Sequence, residues 1–234
     1  MAITLIEDIE TICREIKLDK NLITNVYNFG SRVHGCATSS SDYDLLIIGR
    51  FEQDPLEFKT ADEKYFHQYD LRTCNIGEKK YEVILYSNDN FELLLARHFL
   101  LAVESLFNPP EFIPINKIDY QALFLEQYYD PQLIDLALKA ESQYSFYCVR
   151  RYQKGLGEFD AKWVQKKLFN IVRYNDTTLE LITLGTISDL SRTNPIRFKM
   201  TEMQARSATF DEIYDYLTDI LKMYQKRLTN VLSS

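Results

Sequence analysis

The chain has 234 residues, 46% hydrophobic and 26% charged, the balance of a globular protein with room for one large or two small domains. A net charge of −7 argues against a globally basic footprint for long duplex nucleic acid and leaves short, local contacts open. No stretch is long and apolar enough for a membrane span, and no basic-then-apolar leader opens the chain. The cysteines, at 13, 36, 74 and 148, lack paired metal spacing. A cytoplasmic protein with reduced thiols and no membrane partner is expected. The charge is uneven: residues 1–115 carry 11 Lys+Arg against 19 Asp+Glu, and residues 116–234 carry 16 against 15.

From Thr4 to Leu18 the apolar residues Leu5, Ile6, Ile9, Ile12, Cys13 and Ile16 recur at helical spacing. Thr4 and Glu7 match a capping box. Asp19-Lys20-Asn21 breaks this pattern, and Leu22 to Phe29 reads as a first strand. Gly30-Ser31 follows at once. Glycine permits a sharp turn, and Ser31 is expected at the N-terminus of a short helix, where free N–H groups favour phosphate. A polar stretch then leads to Asp42-Tyr43-Asp44 and the apolar run Leu45 to Ile48, a second strand. Asp42 and Asp44 are two apart, so both carboxylates leave one face of that strand. Two carboxylates so close repel unless a cation lies between them, and oxygen donors of this kind select Mg²⁺. The plain alternative is a polar turn with a solvated acidic start, but surface acids seldom precede so apolar a strand.

Gly30-Ser31, ten residues, then Asp42-x-Asp44 and an apolar strand resembles the signature of nucleotidyltransferases of the DNA polymerase beta superfamily. Gly35 extends the likeness to the pattern GSRxxG of bacterial and phage members. The resemblance implies a Gly-Ser turn that holds a triphosphate, paired aspartates that hold two Mg²⁺ ions (Mn²⁺ as a substitute), and a third carboxylate from a later strand. It also implies an α/β fold, a mixed sheet with flanking helices. Arg32 then touches a phosphate or the third carboxylate, or is a solvated helix residue. His34 is expected to be structural or exposed rather than catalytic.

Arg50 to Thr60 reads as a charged loop with Pro55. Lys64 to Thr73, with Tyr65, Phe66, Tyr69 and Leu71, is strand-like, Asn75 to Glu78 a turn, and Lys80 to Ser87 the next strand. On that strand Tyr81, Val83 and Leu85 share one face, and Glu82, Ile84 and Tyr86 the other. A charged Glu82 among them is costly unless paired or metal-bound, which makes it the choice for the third carboxylate. Asp70 is the rival, with a surface charge beside Arg72 as its plain reading. His67 is assigned no role.

Asn88-Asp89-Asn90 caps an expected helix from Phe91 to about Phe107, with His98 on its apolar stripe, and Pro109-Pro110 ends it. NFELLLARHFLLAVESLFNPPE also resembles the bacterial and phage relatives. From Asn116 long helical patterns take over, so a catalytic domain over 1–115 and an all-helical C-terminal, substrate-binding domain over 116–234 are expected, with the active site in the cleft between them. Helices are expected from Asp130-Pro131 to Gln153, from Asp160 to Thr183, and from a Thr209-x-x-Glu212 cap to Val231. Gly155 to Gly157 is a break, and Gly185 to Arg197 reads as irregular.

Lys162, Lys166 and Arg173 fall on one helix face, opposite Leu168, Ile171 and Val172. Glu158 and Asp160 are the acids among the basic residues of 150–173. A charge run is most often a solvated face. The likeness of Lys166-Lys167-Leu168-Phe169 and Arg173 to phage relatives instead implies nucleotide contacts for Lys167 and Arg173. The implied reaction moves a nucleoside monophosphate from an NTP, ATP by default, to a hydroxyl of RNA, a small molecule or a protein, releasing pyrophosphate. The other class of reading is a non-catalytic, partner-binding or toxin-neutralising module on the same fold. The retained acidic pair argues against it.

Overall fold

The computed structural model describes residues 2–56, 70–156 and 160–233, with side chains from residue 8 onward. The capping box at Thr4 and Glu7, the residues Tyr65, Phe66, His67 and Tyr69, and Gly157 and Glu158 lie outside this description. Contacts divide the described residues into two compact units, the first reaching Tyr129 and the second starting at Asp130.

The first unit opens with helix α1 (Ala2–Glu15) and strand β1 (Ile23–Phe29). Strands β2 (Tyr43–Gly49), β3 (Asp70–Ile76) and β4 (Lys79–Ser87) follow. Helices α2 (Asn88–Ala96) and α3 (Leu100–Ser105) come next, then the short strand β5 (Ile115–Asn116) and the single helical turn α4 (Tyr120–Leu123). These strands form one sheet in the order β3-β4-β2-β1-β5. Only β2 and β4 run parallel, with Tyr43 opposite Tyr81 and Asp44 opposite Glu82; the other pairings are antiparallel. The sheet is mixed, as the sequence implies.

Leu45 to Ile48 are wholly buried because β2 is central and covered on both faces. Ile9, Ile12 and Cys13 of α1, with Ile16 just beyond it, pack with Leu45, Ile47, Tyr81, Val83 and Leu85. At burial of this kind, each such aliphatic side chain contributes roughly 1.5–3 kcal/mol. On β1, Tyr27 stacks with Phe91 of α2 at 6.1 Å between ring centroids. Edge strand β3 alternates between half-buried and exposed positions.

The helix expected from Phe91 to Phe107 is two helices. The break falls at His98, which adopts φ 53°. The N–H groups of His98 and Phe99 turn back to the carbonyls of Leu95 and Leu94, a left-handed cap of the kind glycine usually makes. His98 tolerates it while wholly buried, with its ring edge-on to Phe124 at 5.4 Å. The side chain answers the core even though the backbone has left the helix.

The second unit is built on α5 (Pro131–Gln153), α6 (Ala161–Leu184), α7 (Asn194–Ala205) and α8 (Phe210–Leu232). Asp130 caps α5 through the N–H groups of Gln132 and Leu133, with Pro131 at the first position. Gly185 closes α6 at φ 70°. The Thr209/Glu212 capping box opens α8 as expected. The stretch read as irregular stays so from Gly185 to Thr193, and helix α7 takes over its last four residues, with Pro195 in the first turn. Val164, Leu168, Ile171 and Val172 of α6 pack with Ile213, Leu217 and Leu221 of α8. No described helix is long and apolar enough to cross a membrane, and none of the four cysteines is in a disulfide.

Candidate active site

The turn after β1 is tighter than the sequence suggests. Gly30 to Gly35 make one turn rather than a helix. The His34 N–H reaches the Gly30 carbonyl, and Gly35, at φ 67°, reverses the chain so that Cys36 N–H bonds the Ser31 carbonyl at 2.9 Å. Gly35 ends the helix as soon as it starts. Ser31 therefore sits on a capped turn and has no helix dipole behind it.

Gly30 is required on two counts. Its φ is +75°, and a Cβ built there would lie 2.2 Å from Oδ2 of Asp44. The Asp44 carboxylate is thus seated directly on the turn. Asp44 also stands opposite Phe29 on β1 and opposite Glu82 on β4, so the parallel ladder carries two carboxylates side by side on one face.

Asp42 immediately precedes β2, one step before the first rung. Lys80, two residues before Glu82, leaves the same face of β4. Its ammonium donates to Asp42 Oδ2 at 2.8 Å and to Glu82 Oε1 at 2.7 Å. These two bonds, Asp42 first, hold the ammonium pKa above the ordinary lysine range. The sequence singled out the carboxylates and treated Lys80 only as the start of a strand. The missed signal is the Lys-x-Glu spacing, which puts a cation and an acid on one face of one strand.

Arg32 turns to backbone carbonyls rather than to the third carboxylate. Its Nε and one terminal nitrogen donate to the carbonyls of Asp42 (3.1 Å) and Ser41 (2.5 Å), and its guanidinium lies 3.6 Å from the centre of the Tyr43 ring. It ties the Gly-Ser turn to the segment that carries Asp42. Tyr43 supplies the platform, a role hidden in sequence because it sits between two acids. His34 is buried with Nε2 3.8 Å from Oε2 of Glu104, also buried, which anchors the turn to α3.

Asp70, the rival third carboxylate, stands opposite Leu85 and so leaves the sheet face opposite to Glu82. Arg72 grips both of its oxygens, at 2.7 and 3.1 Å. Lys167 and Arg173 belong to the second unit. Lys167 lies 5.4 and 5.6 Å from the Trp163 and Tyr144 rings. Beside it Glu141 has its pKa raised by burial and pulled back by Lys167. Arg173 is buried, 4.5 Å from the Tyr174 ring, whereas Lys162 and Lys166 are exposed. Lys162, Lys166 and Arg173 therefore do not share one exposed face, because α6 is packed along both α5 and α8.

The donor set Asp42, Asp44 and Glu82 is all carboxylate oxygen, the chemistry that a hard divalent cation takes. Two of its oxygens already converge on a single cation, the Lys80 ammonium. Mg²⁺ asks for closer approach, about 2.0–2.1 Å. Among the described residues no three His, Cys, Asp or Glu side chains are gathered closely enough to chelate a metal as they stand. The set suits the metal in chemistry: Asp42, Asp44 and Glu82 are the residues that would hold such an ion, and Lys80 already bonds two of them.

Residues 6–98 match the model of a family described as a nucleotidyltransferase domain. That stretch, which matches a nucleotidyltransferase domain, holds the turn, both aspartates and Glu82. A nucleotidyltransferase-like protein from Exiguobacterium sibiricum 255-15 is similar over 97% of this chain and 78% of its own, at 12% identity and a TM-score of 0.38. No curated protein matches the chain.

Proposed function

We propose that the chain is a metal-dependent nucleotidyltransferase that moves a nucleoside monophosphate from an NTP, ATP by default, to an acceptor hydroxyl. One observation carries this reading: the Asp44 carboxylate is packed onto Gly30 of the turn while it stands across the ladder from Glu82. A triphosphate held at Gly30-Ser31 would therefore meet the acidic face at once. Bound by Asp42, Asp44 and Glu82, two Mg²⁺ ions, or Mn²⁺, would activate the acceptor and neutralise the departing charge.

The chain's own residues set the geometry. Ser31 and nearby backbone N–H groups hold the β and γ phosphates. Arg32, through the Ser41 and Asp42 carbonyls, keeps the acidic segment against the turn. The acceptor oxygen bonds to the α-phosphorus, the bond from that phosphorus to the bridging oxygen breaks, and pyrophosphate leaves with the electron pair. Glu82 takes the hydroxyl proton. Positioning and electrostatics supply the catalysis. Reduced thiols go with a cytoplasmic setting.

The second reading, a non-catalytic binding module, is favoured by the Lys80 bridge, which neutralises part of the acidic face without a ligand. One experiment separates the two. Protein, Mg²⁺ and each labelled NTP are incubated with total RNA, with protein extract and with a panel of hydroxylated small molecules. Label in one fraction names the acceptor class; no label in any of them, with Mn²⁺ also tried, sinks the enzyme reading.

A further inference from the structure

We propose that Lys80 is a built-in competitor for the divalent cation: it closes Asp42 and Glu82 onto itself, and the metal binds only as the lysine leaves. The inference rests on the metal reading of the same site. Lys80 holds Asp42 Oδ2 and Glu82 Oε1, so it occupies two of the three carboxylates that would hold the metal. Lysine and metal cannot both hold them, because a second cation within bonding distance of the ammonium would be repelled.

Three features make the exchange feasible. The parallel register sets the bridge up from the backbone: with Tyr43 opposite Tyr81, Asp42 and Lys80 are the next residues outward on their strands. The Lys80 side chain is 48% exposed, so its ammonium can swing into water without losing solvation. A lysine, unlike an arginine, holds its charge at one point on a flexible stem, which suits a site to be handed over. The second unit shows the contrast, where an arginine bridges a more deeply buried acidic pair.

What Lys80 does for the face is also plain. Three carboxylates gathered at the mouth of β2 and β4 repel one another, and one ammonium offsets part of that repulsion. Metal binding then exchanges one cation for another instead of neutralising a bare acidic face. The site should accordingly hold metal weakly until a triphosphate adds its own ligands.

The test is a calorimetric titration of the full chain with Mn²⁺ and no nucleotide, on wild type, Lys80→Met, Lys80→Gln, Lys80→Arg and Asp42→Asn/Lys80→Met, each checked for folding by its thermal melt. Lys80→Met and Lys80→Gln should bind Mn²⁺ more tightly, by roughly 5- to 150-fold, the usual span of a coupling between two ligands. Lys80→Arg, whose planar fork grips carboxylates more firmly, should bind Mn²⁺ no more tightly than wild type, and Asp42→Asn in the Met background should erase the gain. Equal affinity in wild type and both neutral variants overturns the competition while the metal site stands. Weaker binding in the neutral variants also overturns it, since Lys80 would then support the metal. If no protein in the series binds Mn²⁺ at millimolar concentration, the metal reading itself fails and the inference goes with it.

Discussion

Two pairs of carboxylates in this protein are each bridged by one cationic side chain. On the sheet, Lys80 joins Asp42 and Glu82, with about a third of each acid's side chain in contact with water. In the helical unit, Arg192 joins Asp176 (3.0 Å) and Glu180 (2.6 Å), whose side chains are 11% and 2% exposed. Ser188 also bonds Glu180, and Tyr224 donates to Asp176 at 3.0 Å. Burial first, and then the Asp176 carboxylate, pushes the Tyr224 pKa up to about 12. The buried pair has its oxygens committed to three neighbours, on α8 and on the segment before α7, so it locks both to α6. The sheet pair is held by a single flexible side chain. The same charge pattern is structural where water is excluded and exchangeable where water remains.

The comparison can be broken by mutation, and the largest expected effect is on chemistry. Asp42→Asn, Asp44→Asn and Glu82→Gln should each cut nucleotidyl transfer by about a hundredfold or more, the scale seen when a transition-state charge partner is lost. The thermal melt of each should stay near wild type. Full activity with unchanged Mg²⁺ dependence in any of them removes that residue from the site.

The buried bridge should show the reverse. Arg192→Met leaves Asp176 and Glu180 facing each other out of water and should cost about 3–5 kcal/mol in urea unfolding. A loss below about 1 kcal/mol would make it a surface-type pair and dissolve the contrast. Ser31→Ala should weaken NTP binding by about 1.5–3 kcal/mol, a hydrogen bond to a charged group, with little change in stability. If calorimetry finds unchanged affinity, the triphosphate is held elsewhere.

The smallest effect tests an exposed carboxylate with a purely structural partner. The Glu212 pKa is lowered first by the Thr209 backbone N–H and then by its hydroxyl. A depressed carboxyl stabilises the fold above its ordinary pKa, and that contribution fades as pH falls through the lowered value. Thr209→Ala should cost about 1 kcal/mol of cap and make the acid side of the stability curve shallower. An unchanged acid limb would show that the Thr209 backbone N–H, which the substitution leaves in place, holds Glu212 without the hydroxyl.

Much of this was legible in the residues. The strands read over Leu22 to Phe29 and Lys80 to Ser87, the helix starts at Asp130-Pro131 and Asp160, and the Thr209 cap mark elements that the structure has. The Gly-Ser turn and the Asp-x-Asp pair were recognisable because spacing along a strand determines which side chains share a face. That Glu82, and not Asp70, shares the face of Asp44 required the register of β3, β2 and β4, since sequence alone cannot say which strands pair or where they align. The break at His98 came from a backbone cap that aromatic packing sustains, against the residue's local preference. Burial of Arg173 came from α6 lying along two helices at once. Lys80 is the clearest case: alone it is one more lysine at the start of a strand. Only the parallel pairing of β2 and β4 brings its charge between two acids 38 and 2 residues away.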